Sequence, residues 1–199
     1  MATESNPLID EGLVDFLLYS VLDAESLCEL DAYQQHSKET FDMFIDSVRR
    51  FARQDLLPTY KPMDENPPVF RDGRVHTHPA LPALYESMIE LGVLSATRPE
   101  AVGGQQIPML VYTMASAYLM AANLGAYGFV GLTHGAAHLI EAFGSEELKE
   151  RFMSRMYEGE WTGTMALTEP HAGSSLADIR TSATPTDDGH YLIKGSKIF

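Results

Sequence analysis

The chain predicts a mainly α fold, a helical-bundle domain followed by the first strands of an antiparallel β domain. Three observations carry this. Apolar residues recur at helical spacing from Phe41 to Leu56, an uncharged and largely apolar run separates Glu100 from Glu141, and after Trp161 short alternating stretches are broken by turn residues. The organisation that follows is a helical extension over 1–36, a helical domain over 37–158, and the start of a β domain over 159–199.

In chain order, Leu13, Val14, Phe16, Leu17, Leu18, Val21 and Leu22 form an apolar face at roughly helical period, with Asp10 and Asp15 near its start. This extra helix is expected to cover the main helical body or a subunit boundary. Ser37 then opens a clearer amphipathic helix through Phe41, Phe44, Ile45, Val48, Phe51, Ala52 and Leu56, which Pro58 is expected to end. Prolines recur from Thr59 to Pro82 around Arg71-Asp72-Gly73-Arg74, a loop with a small hairpin. His76 and His78 have ligand-like spacing, but loop histidines of this kind are ordinarily surface residues. Pro82 to Leu91 reads as a short helix with Gly92 as its C-cap.

The run between Glu100 and Glu141 raises the possibility of a membrane helix. Gln105, Gln106, Asn123, Gly125, Gly128 and Gly131 interrupt it and neither end has a basic flank, so two buried helices are expected and no membrane insertion. His134, His138 and Glu141 can share one helical face. A zincin motif would require glutamate where Gly135 stands, so no metal is assigned there, and core histidines bonded within the protein are expected. Ser145 caps a further helix that ends near Gly159.

Lys and Arg total 14 against 28 Asp and Glu, a net charge of −14 that opposes nucleic acid and anionic membranes as partners. Cys28 is the only cysteine, which excludes an intrachain disulfide and a cysteine-built metal site. MATESNPLIDEG has neither the basic nor the apolar region of a secretory signal, so a cytoplasmic location is expected.

The stretch from Trp161 carries the chemistry. Trp161–Thr168 favours a strand that Pro170 must end, because proline has no N–H for a ladder. His171-Ala172-Gly173-Ser174-Ser175 follows, with small side chains that leave backbone N–H groups uncovered and a glycine able to take positive φ, the makings of an anion cradle. Asp187-Asp188-Gly189 then turns between strands at Ile179–Thr184 and His190–Phe199.

MALTEPHAGSSLADIRTSA, followed by the alternation of Tyr191, Ile193, Gly195, Lys197 and Phe199, resembles the signature of the flavin-dependent acyl-CoA dehydrogenases. PEAVGG, GLTHGA and FGSEELKERF extend the resemblance upstream, and the added N-terminal segment is most similar to the larger subgroup that includes the 3-methylmercaptopropionyl-CoA dehydrogenases. The resemblance implies FAD as cofactor, an acyl-CoA substrate, electron-transfer flavoprotein as acceptor, and a homodimer or homotetramer. It implies that backbone groups of Met165 and Leu167 and the N–H and hydroxyl of Thr168 bond the flavin edge, that Gly173 and Ser174 hold the diphosphate or the pantetheine, that Phe199 stacks on the ring, and that His134 lines the thioester cavity. Glu169 is structural by the same analogy, and the catalytic glutamate is expected beyond residue 199. Alternative readings are an acyl-CoA oxidase or nitroalkane oxidase relative, a DNA-associated relative that the acidic charge disfavours, and a non-catalytic helical interaction module.

Overall fold

The structure, a computed structural model, describes residues 8–198 and divides them into two compact units, one through Gly163 and one from Thr164. Helix α1 (Glu11–Asp15) is capped by Asp10, whose carboxylate accepts from the Leu13 N–H at 2.8 Å, and it continues through a π-helical segment, Phe16–Val21. Val14 and Leu18 point inward. Short 3-10 turns, Ala24–Glu29 and Asp31–Tyr33, lead to α2 (Lys38–Phe51). The extension lies on α2. Arg53 pairs with Glu11 at 2.7 Å, Arg49 also bonds Glu11, and the Tyr19 hydroxyl donates to Asp42 at 2.6 Å.

Helix α2 buries Phe41, Phe44, Ile45, Val48 and Phe51, the stripe its periodicity predicts, and Ser37 and Thr40 cap it reciprocally. Pro58 does not end the helix. A π-helical segment, Ala52–Leu56, intervenes, in which the Leu57 N–H reaches back to the Ala52 carbonyl, and α3 (Leu57–Glu65) resumes with Pro58 in its first turn. Proline is tolerated there because the first turn of a helix has no intrahelical use for its N–H. The expected hairpin follows as β1 (Val69–Arg71) and β2 (Arg74–His76), antiparallel with Phe70 opposite Val75. Helix α4 (Leu81–Glu90) ends at Gly92, at φ +72°.

The apolar run folds as α5 (Met109–Phe143), two helical halves hydrogen-bonded across one extended residue, Asn123. Asn123 is buried and ties the second half of α5 to α3: its carbonyl oxygen Oδ1 accepts from the Ala126 N–H at 3.1 Å and its amide donates to the Thr59 hydroxyl at 3.1 Å. It is an N-cap inside a helix. Length and apolar composition alone would allow α5 to cross a membrane, but Val111, Ala115, Tyr118, Leu119, Ala126 and Val130 pack into the core of this unit. Helices α6 (Glu146–Leu148) and α7 (Ser154–Tyr157) flank a π-helical segment, Lys149–Met153, with the Ser145 hydroxyl as N-cap, and Gly159 ends the run at φ +78°.

The second unit contains a 3-10 turn, Leu176–Asp178, and the antiparallel pair β3 (Ser182–Pro185) and β4 (Tyr191–Lys194), joined by the expected turn with Gly189 at φ +82°. Strand pairing is shorter than the sequence predicts on both sides. Trp161–Thr168 forms no strand, because among the described residues no neighbouring segment offers it a ladder; the backbone bond from the Ile198 N–H to the Thr168 carbonyl and the adjacent bridge between Glu169 and Ala172 stand in its place.

Candidate flavin and diphosphate site

Residues 165–168 form an irregular, exposed ledge. Its carbonyls are used: Leu167 accepts from the Lys197 ammonium at 2.9 Å and Thr168 from the Ile198 N–H at 3.0 Å. Its donors are not. Among the described residues, the N–H groups of Met165, Ala166, Leu167 and Thr168 and the Thr168 hydroxyl have no partner. A stretch with its acceptors tied and its donors free is a hydrogen-bond donor surface, suited to oxygens and nitrogens on a ligand edge.

Glu169 builds the support under this ledge. Its carboxylate, 3% exposed, accepts from the Arg180 N–H at 2.8 Å, the Thr181 N–H at 2.9 Å, the Thr181 hydroxyl at 2.6 Å and the Lys197 ammonium at 3.0 Å. The Thr181 hydroxyl and then the Arg180 N–H hold the carboxyl well below the usual carboxylate range. An acid this committed cannot act as a general base at neutral pH, in keeping with the structural role that resemblance implies. Gly195 completes the support: a Cβ there would lie 2.0 Å from the Thr181 hydroxyl oxygen, so only glycine lets this segment pass close enough for Lys197 and Ile198 to reach the ledge.

Glu169, Pro170, His171 and Ala172 form a tight turn closed by two backbone bonds between its end residues, 2.8 and 3.1 Å. Beyond it the N–H groups of Gly173, Ser174 and Ser175 and both serine hydroxyls have no partner among the described residues. Gly173 does not use the positive φ that the sequence allows it. Added to it, a Cβ would meet only the Thr168 methyl at 3.7 Å, ordinary contact, so the fold itself does not require a bare backbone at this position. Met165, Leu167, Thr168, Gly173 and Ser174 thus fall on one short connected segment; Phe199 lies outside the described residues.

His134 sits in the other unit, in the second half of α5. Its Nδ1 is 2.9 Å from the Leu94 carbonyl oxygen, and its ring stacks on Tyr112 at 5.3 Å. Beside it lies a polar cluster that sequence reasoning missed. Arg98, buried, bonds Glu141 at 3.3 Å and the Val102 carbonyl at 3.2 Å beneath the Tyr157 ring, and the Tyr157 hydroxyl donates to Glu141 at 2.7 Å. Burial, then this bond, raises the Tyr157 hydroxyl pKa far above its ordinary value. The signal was the lone arginine preceding PEAVGG, the last cation before the uncharged run. Among the described residues no cluster of three or more His, Cys, Asp or Glu could hold a metal.

A helical domain is followed in the chain by a β unit that opens on a donor ledge and a small-residue loop. A family model described as the acyl-CoA dehydrogenase N-terminal domain matches residues 38–160, and the chain belongs to the acyl-CoA dehydrogenase family. It is 31% identical over 175 residues to a 3-methylmercaptopropionyl-CoA dehydrogenase of Ruegeria pomeroyi, covering 86% of this chain and 30% of that protein. Among solved structures, a butyryl-CoA dehydrogenase from Megasphaera elsdenii matches with a TM-score of 0.67 at 28% identity, over 82% of this chain and 41% of that one. An acyl-CoA dehydrogenase complexed with FAD from Bacillus anthracis matches with a TM-score of 0.63 at 26% identity, over 82% of this chain and 26% of that one. The chain thus spans less than a third of the length of the curated relative.

Proposed function

We propose that this chain forms part of an FAD-dependent acyl-CoA dehydrogenase, with acyl-CoA as substrate and electron-transfer flavoprotein as acceptor. The observation that carries the reading is the row of unpartnered donors at residues 165–168 and 173–175, in a family whose solved members include one bound to FAD. A bound FAD would supply the acceptor for the hydride leaving the β-carbon of the thioester.

The chain's own residues bind and orient. The N–H groups of Met165 and Leu167 and the N–H and hydroxyl of Thr168 meet the polar edge of the flavin, where donors stabilise negative charge that grows during transfer. Gly173 and Ser174 receive the diphosphate, the glycine by leaving the backbone open and the serine by its hydroxyl. Ser174 is a candidate for the substrate as well as the diphosphate, and His134, in the other unit, is a separate candidate. Glu169 is consumed by its own bonds, so the α-proton goes to a base other than Glu169.

Cytoplasmic residence is supported by the single cysteine, Cys28, and a homodimer or homotetramer by kinship. The test is an absorbance spectrum of the full-length enzyme after purification, followed by titration with acyl-CoAs of different chain length. Oxidised flavin bands that bleach on titration, and reoxidation by electron-transfer flavoprotein in preference to oxygen, are expected. A colourless, well-folded protein that takes up no FAD would refute the reading. In that enzyme His134→Ala should alter KM or kcat, and unchanged kinetics would return His134 to the scaffold.

A further inference from the structure

His171 stands at the tip of the Glu169–Ala172 turn, beside the free donors of residues 173–175 but outside the groups already assigned. Its Nε2 lies 3.1 Å from the Asp178 carbonyl oxygen and 3.5 Å from Oε2 of Glu169. Both neighbours are acceptors, so Nε2 carries a hydrogen. Nδ1 has no partner among the described residues, on a ring about a third exposed. The ring is held at one nitrogen and available at the other.

We propose that His171 is an anion-binding residue of the 171–175 loop, taking up a proton at Nδ1 as it donates to a diphosphate. The inference rests on reading this loop as a diphosphate site. Of the charged groups packed near the ring, Glu169 faces it, with Oε2 3.5 Å from Nε2. The Lys197 ammonium lies on the other carboxylate oxygen, at 3.0 Å. Arg180 offers its backbone N–H to Glu169, and Asp178 offers the ring only its main-chain carbonyl. An incoming diphosphate would place the imidazolium between two anions. The proton comes from solvent, and no covalent bond changes.

The test uses the whole chain and inorganic pyrophosphate, followed by NMR at the amides of residues 173–175 and at the His171 imidazole. Pyrophosphate is expected to shift those amides while the imidazole moves to its protonated signature. His171→Ala should weaken binding about tenfold, the value of one charge-assisted hydrogen bond. His171→Lys, which keeps a cation, should restore affinity without proton uptake. FAD and coenzyme A titrated in parallel distinguish the two sources of diphosphate by which one reproduces the shifts; shifts from pyrophosphate alone would mark an adventitious anion and overturn the proposal. Shifts at 173–175 with a neutral His171, and wild-type affinity in His171→Ala, would overturn the role of His171 while leaving the loop assignment intact. Unmoved amides would overturn both.

Discussion

Two residues, Glu169 and Asn123, show what a single side chain decides. Glu169 is held below its ordinary value of 4.5 by bonds that require the charged carboxylate. The folded state therefore binds fewer protons than the unfolded state wherever the unfolded carboxyl titrates. Its contribution to stability is complete above about pH 4.5 and declines as the pH falls toward the depressed folded value. Amide exchange at Arg180 and Thr181, corrected for intrinsic rates, should lose protection below that pH, and Glu169→Gln should show the loss already at neutral pH. Protection unchanged in the variant would mean that the carboxylate does not hold this segment. Asn123→Ala removes the cap on the Ala126 N–H and the bond to Thr59, a loss of about 1–2 kcal/mol in urea denaturation; a change of a few tenths would show that the break in α5 needs no cap. The partners of neither residue were visible in the sequence. Glu169 sat in a signature that suggested its type but not its partners, and Asn123 read only as an interruption.

At the scale of elements, periodicity anticipated the helices well and their ends less well. The stripe of α2 and the caps at Ser37 and Ser145 follow from local chemistry, which adjacent residues contain in full. Pro58 misled because a π-helical segment precedes it and places it in a first turn, where its missing N–H costs nothing. The turn at Gly159 joins local and tertiary causes: its φ is +78°, and a Cβ there would lie 2.8 Å from the Ile89 side chain. Gly159→Ala should lower stability by more than about 1 kcal/mol by chemical denaturation. An equal or higher midpoint would show that the α7 end can relax.

The whole molecule divides its core unequally. Every buried apolar residue of the described chain except Ala172 belongs to the unit ending at Gly163, whereas Met165, Leu167, Ile179, Tyr191, Leu192, Ile193 and Ile198 are exposed. A two-stranded pair with no core of its own is marginal in water. Residues 1–163 alone should keep a helical circular dichroism spectrum and a cooperative transition, while a peptide of residues 164–199 should show no stable strand signal; a cooperatively folded peptide would contradict this. By itself the sequence determined the helical class, the buried stripe and cap of α2 and the two hairpin turns, because periodicity, capping and turn chemistry are properties of neighbouring residues. Only the tertiary structure decided that Trp161–Thr168 is a ledge and no strand, that Arg98 and Glu141 share a buried cluster, and that Lys197 and Thr181 converge on Glu169. Those outcomes depend on groups far apart in the chain, and whether a backbone finds a ladder or a carboxylate its donors is settled by what folding brings alongside.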